Sequence, residues 1–357
     1  MLAPSSRNFL YALLLLLLLA GCKKKSYDFI RANLGDSEAQ YRLALDYFTG
    51  SGVKKNSEEG FRLLKKSAER GNEDAILSLA IAYYTGNGTG TNFPESIQWF
   101  QRSADLGSDV AQNYLGVAYL NGQGVAKDPL SALKYFEMAA QNENASAQIN
   151  LGFMNYLGRG IPENKIKGID WFSKAADQGN DEAEYQLGHA YMTGDGVPVD
   201  EEKAISFYQK SANQGNKEAM FDLGEAYRFG KGVGIDDNEA LKWFKNSAEN
   251  GNLVALRLLA DNYMTGHGVP VDQKEGIILL KQAAKLGDQG SQYRLGMAYL
   301  AGVGVQKDSV EGLAWLAVAT PNPSNQDPLQ SPDWHYPLDV CAKAKQRMLE
   351  LKNEIQK

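Results

Sequence analysis

Cysteine is nearly absent: Cys22 and Cys341 are the only two in 357 residues. Histidine is almost as scarce, at His189, His267 and His335. No Cys cluster, His-x-Glu or His-Glu-x-x-His is present, which excludes the usual zinc and metalloprotease patterns, and no metal or cofactor is expected. Past the first 25 residues lysine and arginine form no stripe, and the formal net charge is −6, so nucleic acid is not an expected partner. Nor does any Ser-x-x-Lys precede a Lys-Thr-Gly, as a serine β-lactamase would require. With 43% hydrophobic and 10% aromatic residues the chain is nonetheless too apolar for general disorder and can build a packed core.

The longest apolar run is at the N-terminus. Residues 1–21 hold one charge, Arg7, then Leu10 to Leu19 and Ala20-Gly21. The run is about half of the roughly 20 residues a membrane-spanning helix needs, so it reads as the core of a signal peptide. The segment Leu19-Ala20-Gly21-Cys22 resembles the lipobox of bacterial lipoproteins. That resemblance implies cleavage before Cys22, acylation of its thiol (palmitate among the chains) and a stable membrane anchor. Cys22 is followed by Lys23-Lys24-Lys25 and not by the aspartate that favours inner-membrane retention, which implies the outer membrane and a protein facing the periplasm. The three lysines serve either as a solvated spacer or as a contact for anionic headgroups. With Cys22 lipidated, no intramolecular disulfide is available, and stability must come from packing.

What the rest of the chain has in abundance is self-similarity. Paired turn glycines recur 36 residues apart, from Gly50 and Gly52 through Gly122 and Gly124 to Gly302 and Gly304, in eight copies without insertion or deletion. A fixed period of this kind marks a stacked repeat array. Each copy predicts two helices. The first carries a small residue, a leucine four later, then glycine or alanine, as in Ala111-x-x-x-Leu115-Gly116, with Tyr119 four residues beyond the leucine. This spacing puts all three on one helical face. The Gly-x-Gly turn ends that helix. An Asx residue such as Asn56 or Asp236, often with glutamate three residues on, predicts a capping-box start for the second helix. The second helix repeats a bulky pair, as in Trp99-Phe100 and Trp171-Phe172, and then a small pair. Gly86-Asn87-Gly88-Thr89-Gly90 is one of the eight helix-ending turns and not a phosphate loop, because a helix enters it and no Gly-Lys-Ser/Thr follows.

These residues resemble the Sel-one-like repeat family, relatives of the tetratricopeptide repeats. The resemblance implies an all-α fold, an α/α superhelical solenoid with the first helix of each pair lining a concave face. The organisation expected is a signal peptide at 1–21, a lipidated tether at 22–34, eight repeats at 35–322, and a proline-rich turn with a C-terminal capping helix at 323–357. In the capping helix Leu338, Cys341, Ala344, Met348, Leu351 and Ile355 share the expected apolar face. Asn155 departs from the tyrosine column in the fourth repeat.

Two columns on the first helix are candidates for holding a partner. Two residues before each leucine stand Tyr41, Asn113, Tyr185, Phe221, Arg257 and Tyr293; five after it stand Phe48, Tyr84, Leu120, Tyr156, Met192, Arg228 and Met264. An aromatic and methionine-rich stripe suits peptide capture. Packing between repeats fits the same columns, and both roles stay open at this point. Arg228 and Arg257, with Glu225 and Asp261 nearby, make a charged stretch in repeats six and seven, and charge reversal at the two arginines is expected to leave the melting temperature unchanged. The resemblance implies a non-enzymatic scaffold in the cell envelope, its partner an envelope protein of unspecified identity. The alternative is a peptidoglycan- or β-lactam-directed enzyme or its accessory, as reported for cysteine-rich relatives whose disulfides this chain lacks.

Overall fold

A computed structural model of the chain describes residues 24–319 and 336–355. Among these residues all regular structure is helical. Helix α1 (Lys24–Asn33) comes first, where a tether was expected. Eight helix pairs follow. They are α2 (Ser37–Thr49) and α3 (Ser57–Glu69), α4 (Glu73–Thr85) and α5 (Phe93–Asp105), α6 (Asp109–Asn121) and α7 (Pro129–Gln141), and α8 (Ala145–Leu157) and α9 (Lys165–Asp177). The next four are α10 (Asp181–Thr193) and α11 (Glu201–Asn213), α12 (Lys217–Phe229) and α13 (Asp237–Glu249), α14 (Leu253–Thr265) and α15 (Gln273–Lys285), and α16 (Gln289–Ala301) and α17 (Ser309–Ala319). Helix α18 (Leu338–Ile355) closes the chain. The residues form two compact units that divide between Lys174 and Ala175, inside α9. Each unit is a stack of helix pairs, an α/α solenoid.

The expected leucine and small-residue columns are core. Leu79, Leu115 and Leu151 in the first unit, and Leu187, Leu223 and Leu295 in the second, are at most 1% exposed. The second member of each bulky pair is also buried, including Phe100, Phe136, Phe172, Tyr208 and Phe244. Phe136, Phe172, Tyr208 and Phe244 sit where the facing helix has a glycine and no side chain. A Cβ on Gly116 would lie 2.5 Å from Cε1 of Phe136, and one on Gly224 would lie 2.5 Å from Cε1 of Phe244. The mid-helix glycines therefore give up about 1 kcal/mol of helix propensity so that a ring can lie against backbone. In two repeats the first member of the pair stacks on the tyrosine column: Tyr135 on Tyr119 at 5.6 Å, and Phe207 on Tyr191 at 5.9 Å.

The turns follow the expected chemistry and add a reason for the second glycine. Gly122 is left-handed at φ 75°, and its N–H donates to the carbonyl of Ala118. Gly124 is left-handed too, and a Cβ there would lie 2.7 Å from the carbonyl carbon of Phe93 at the start of α5. Thus the second glycine serves both conformation and close stacking on the preceding repeat. The loop is latched by the N–H of the Asx cap donating to the backbone carbonyl of the tyrosine column, as from Asp128 to Tyr119 at 2.8 Å. Because the latch uses backbone, Asn155 keeps it in the fourth repeat, with Asn164 N–H donating at 2.7 Å.

The caps themselves are half as expected. Asn56, Asn92, Asp128, Asn164, Asp200, Asp236, Asp272 and Asp308 all accept from the first turn of the second helix. Three of the five glutamates expected to complete capping boxes are engaged elsewhere: Glu59 holds Arg62, Glu239 holds Lys242, and Glu311 accepts from Trp315 and Arg347. At the ends, α1 buries Ala32 and its carbonyl accepts from Gln40. Helix α18 buries Ala344, Met348 and Leu351 as expected, but Leu338 is 89% exposed, because the contact face begins one turn later. Val340 and Ile355 complete that contact, and Arg347 fixes it by pairing with Glu311 at 2.9 Å.

Two substitutions in the first unit test this account. Gly152→Ala places a methyl against the ring of Phe172 and should destabilise by about 1–3 kcal/mol despite better helix propensity, although Ala80 is tolerated beside Phe100 in the second repeat. Glu143 is the one non-glycine residue at positive φ (60°) among the described residues, at a helix end where other repeats have glycine. Glu143→Gly should be neutral or stabilising by up to about 1 kcal/mol. Urea denaturation of the two variants should give shifts of opposite sign, or a shift for Gly152→Ala alone.

Candidate functional site

A helical column can face a groove or its neighbours, and the structure separates the two expected columns. The column five after leucine lies mainly over its own repeat. Phe48 lies over Gly60, Tyr156 over Gly168 and Met264 over Gly276, each in the spot a Cβ would occupy. Leu120 and Met192 pack at the edges of the cores beneath them. Tyr84 meets Phe93 and Tyr114 edge to face and donates to Gln123 Oε1 at 3.0 Å. Arg228 carries its guanidinium 5.4 Å from the ring of Phe229. The physical cause is the turn: five residues on, the side chain has rotated back toward the second helix.

The column two before leucine reaches across to the next repeat. Tyr41 Oη lies 3.4 Å from Ser78 Oγ, and Asn113 accepts from Asn150 Nδ2 at 2.9 Å. In the second unit Tyr185 and Tyr208 lie beside the Asp222 carboxyl of the next repeat, whereas Phe221 lies 5.6 Å from Phe244 within its own repeat. Tyr208 takes the place that phenylalanine holds in the repeats on either side, and its hydroxyl serves Asp222. Burial pushes the Asp222 carboxyl up from its ordinary range. The charge of His189 and the two tyrosine hydroxyls pull it back, and Glu225 adds to the rise. Glu184, 5% exposed, is also raised by burial, against a hydrogen bond from Gln214.

Three expected residues do converge. Arg257 and Met264 on α14 and Tyr293 on α16 line one open groove of about 740 Å³ in repeats seven and eight. Leu280, Met297, Ala298, Ala301 and Val303 give it an apolar floor; Asp261 and Arg294 complete its charged wall. Tyr293 is 52% and Met297 46% exposed, large apolar area left open to water on a folded surface. Arg257 Nη1 contacts both oxygens of Asp288, at 2.7 and 2.9 Å, and Arg294 Nη1 donates to Asp261 at 2.6 Å. Burial raises the Asp261 carboxyl although both arginines oppose it. Reversal of Arg257 would set two acids against each other, so the expectation of an unchanged melt is corrected for this residue. A volume of this size and an apolar lining with a few placed polar groups are those of ligand-binding clefts.

Arg294 and Met297 stand one before and two after leucine, outside the two columns expected to hold a partner, although Asp261 of the charged stretch occupies the same position as Met297 one repeat earlier. Arg294 beside Tyr293 was the available signal. Of the histidines, His189 and His267 are exposed, while His335 lies outside the described residues, as does the proposed lipid site, Cys22. Cys341 is partly buried, its thiol 3.8 Å from the carbonyl of Tyr336. Among the described residues no group of three or more His, Cys, Asp or Glu could hold a metal ion, and no helix is long and apolar enough to cross a membrane.

Comparison with known proteins gives the same period. The Sel1 repeat model matches at residues 37–72, 73–108, 109–144, 145–180, 181–216, 217–252, 253–288 and 290–319. A crystal structure of a Sel1 repeat protein from Oxalobacter formigenes is 30% identical, with 86% of this chain and 88% of that one covered and a TM-score of 0.63. A protective antigen present in uropathogenic Escherichia coli strains, displaying an SLR fold, is 25% identical over 92% of this chain and 87% of that one, with a TM-score of 0.50. No curated protein matches.

The Asp222 cluster makes a pH prediction. Its folded pKa lies above the ordinary 3.8, so the carboxyl takes up a proton on folding. The stability it contributes is fully present below the unfolded value and is lost as pH rises through the folded value. Asp222→Asn keeps a polar group of the same shape beside the tyrosines and removes the ionisation. It should therefore stabilise the protein near pH 7, with the gain shrinking to nothing near pH 4, as read by urea melts of both proteins at the two pH values.

Proposed function

Because the chain belongs to the Sel1 repeat family, whose members are generally protein-interaction scaffolds, we propose that it is a non-enzymatic adaptor that holds a partner polypeptide on the first helices of its repeats. The observation that carries this is the groove in repeats seven and eight. There Tyr293 and Met297 stand open over an apolar floor within a charged rim. A tyrosine provides large contact area with few rotatable bonds to fix, and a methionine provides an adaptable, polarizable surface, as binding surfaces require. Nearly every other large side chain of the two candidate columns is occupied by packing, which leaves this groove as the place where contact area remains unspent.

The adaptor acts in the bacterial envelope. Leu19-Ala20-Gly21-Cys22 supports lipidation at Cys22, and the absence of aspartate at Lys23 supports an outer-membrane address with the repeats facing the periplasm. A lipid anchor confines the protein to a surface, so that even a weak groove contact is made at high local concentration.

A photo-crosslinking residue placed at Met297 should capture a specific envelope protein in intact cells, and Tyr293→Ala with Met297→Ala should weaken that capture by roughly thirtyfold, the loss of one aromatic anchor, without lowering the melting temperature. Equal capture by the double variant would refute the groove; turnover of a chromogenic β-lactam or of muropeptides by the purified protein would refute the non-enzymatic reading. For the anchor, Cys22→Ser should release the protein from membranes, and Lys23→Asp should move it to the inner membrane in sucrose-gradient fractions.

A further inference from the structure

The groove of repeats seven and eight sets two arginines in its wall, in a chain that is acidic overall. Three of its lining residues are charged, Arg257, Arg294 and Asp261, whereas the whole protein carries −6. The carboxylate that holds Arg257 is itself shared. Asp288 caps α16, accepting from Ser291 N–H at 2.7 Å, and is only 12% exposed, so part of its charge is met by the helix N-terminus. Arg257 is thus fixed in place more than it is neutralised.

The place where it is fixed is built for it. Gly290 stands where the other repeats carry Glu38, Asp74, Val110, Ser146, Glu182, Glu218 and Val254. A Cβ there would lie 2.8 Å from Cζ of Arg257, so the guanidinium lies in the space of a missing side chain, and Gly290 itself lines the groove. Arg294 is held differently. Its hydrogen bond from Nη1 to Asp261 orients a side chain that is 51% exposed, and leaves the rest of the guanidinium fork at the groove wall, beside Tyr293 and Met297. An oriented, half-exposed guanidinium next to open apolar surface is matched by a carboxylate next to large apolar groups.

We propose that this groove selects polypeptide segments in which an acidic side chain stands beside large apolar ones, with Arg294 reading the carboxylate and Tyr293, Met297 and Met264 taking the apolar residues. The proposal rests on the groove being a docking site. A polypeptide is favoured over a small anion because the floor is apolar and the groove is open and far larger than one carboxylate.

The test is selection of a random-peptide phage library on the immobilised protein, with counter-selection on the Tyr293→Ala, Met297→Ala double variant. Groove-dependent peptides should be enriched in Asp or Glu next to Leu, Phe or Met. In the best of them, synthesised with a fluorescent label, Glu→Gln should weaken binding about tenfold. Arg294→Gln should erase the difference between the Glu and Gln peptides while leaving the weaker affinity in place; Arg294→Lys should keep part of the preference. Asp261→Asn removes the groove's own acid and should tighten binding of the Glu peptide. Circular-dichroism melts of each variant confirm folding. A neutral or basic consensus, or a Glu preference that survives Arg294→Gln, would overturn the proposal while leaving the docking site intact. Recovery of no groove-dependent peptide would overturn the docking site as well.

Discussion

Most of this structure depends on a ring seated where the opposite helix has lost its side chain. Phe136 on Gly116 and Phe244 on Gly224 bring two helices together at backbone distance, and the rings are fully buried. That approach sets the spacing of the pair, and the spacing sets the turn that joins them. The turn in turn places its second glycine against the start of the second helix of the preceding repeat, as Gly124 does at Phe93. A chain built so cannot gain or lose a residue within a repeat without misplacing a cap, a glycine and a ring at once. The eight copies accordingly keep a period of 36 residues.

Much of the fold was legible in the sequence for that reason. Period, turn glycines, Asx caps and the buried columns all follow from demands that recur, and a recurring demand leaves a recurring residue. What was less legible depends on angle and reach. The column five after leucine reads as surface on a helical wheel, but a neighbouring helix with a glycine or alanine at the right height draws it in, as Gly168 does Tyr156. The groove was half visible. Arg257, Met264 and Tyr293 were in the columns, whereas Arg294 and Met297 enter from the neighbouring positions, one before and two after leucine. Glu311 shows the same limit at the caps: its spacing spelled a capping box, and Trp315 one turn on and the distant Arg347 took it instead.

The second unit also concentrates buried acids. Glu184, Asp222 and Asp261 fall in successive repeats, and burial raises all three. Each is answered locally, by Gln214, by two tyrosines with His189, and by Arg294. A solenoid can carry such costs because each repeat interface is settled with its neighbours alone, so an unfavourable charge in one does not spread through a shared core.

Gly290 has a consequence for how such a protein acquires new partners. Seven repeats carry a side chain at that position, and the eighth opens a place for Arg257 by having none. What distinguishes the eighth repeat here is a side chain it does not have. In a tandem array of near-identical units, the shortest mutational route to a distinct recognition surface is the loss of one side chain at one register position. The other copies preserve the original, and the frame does not have to be invented again.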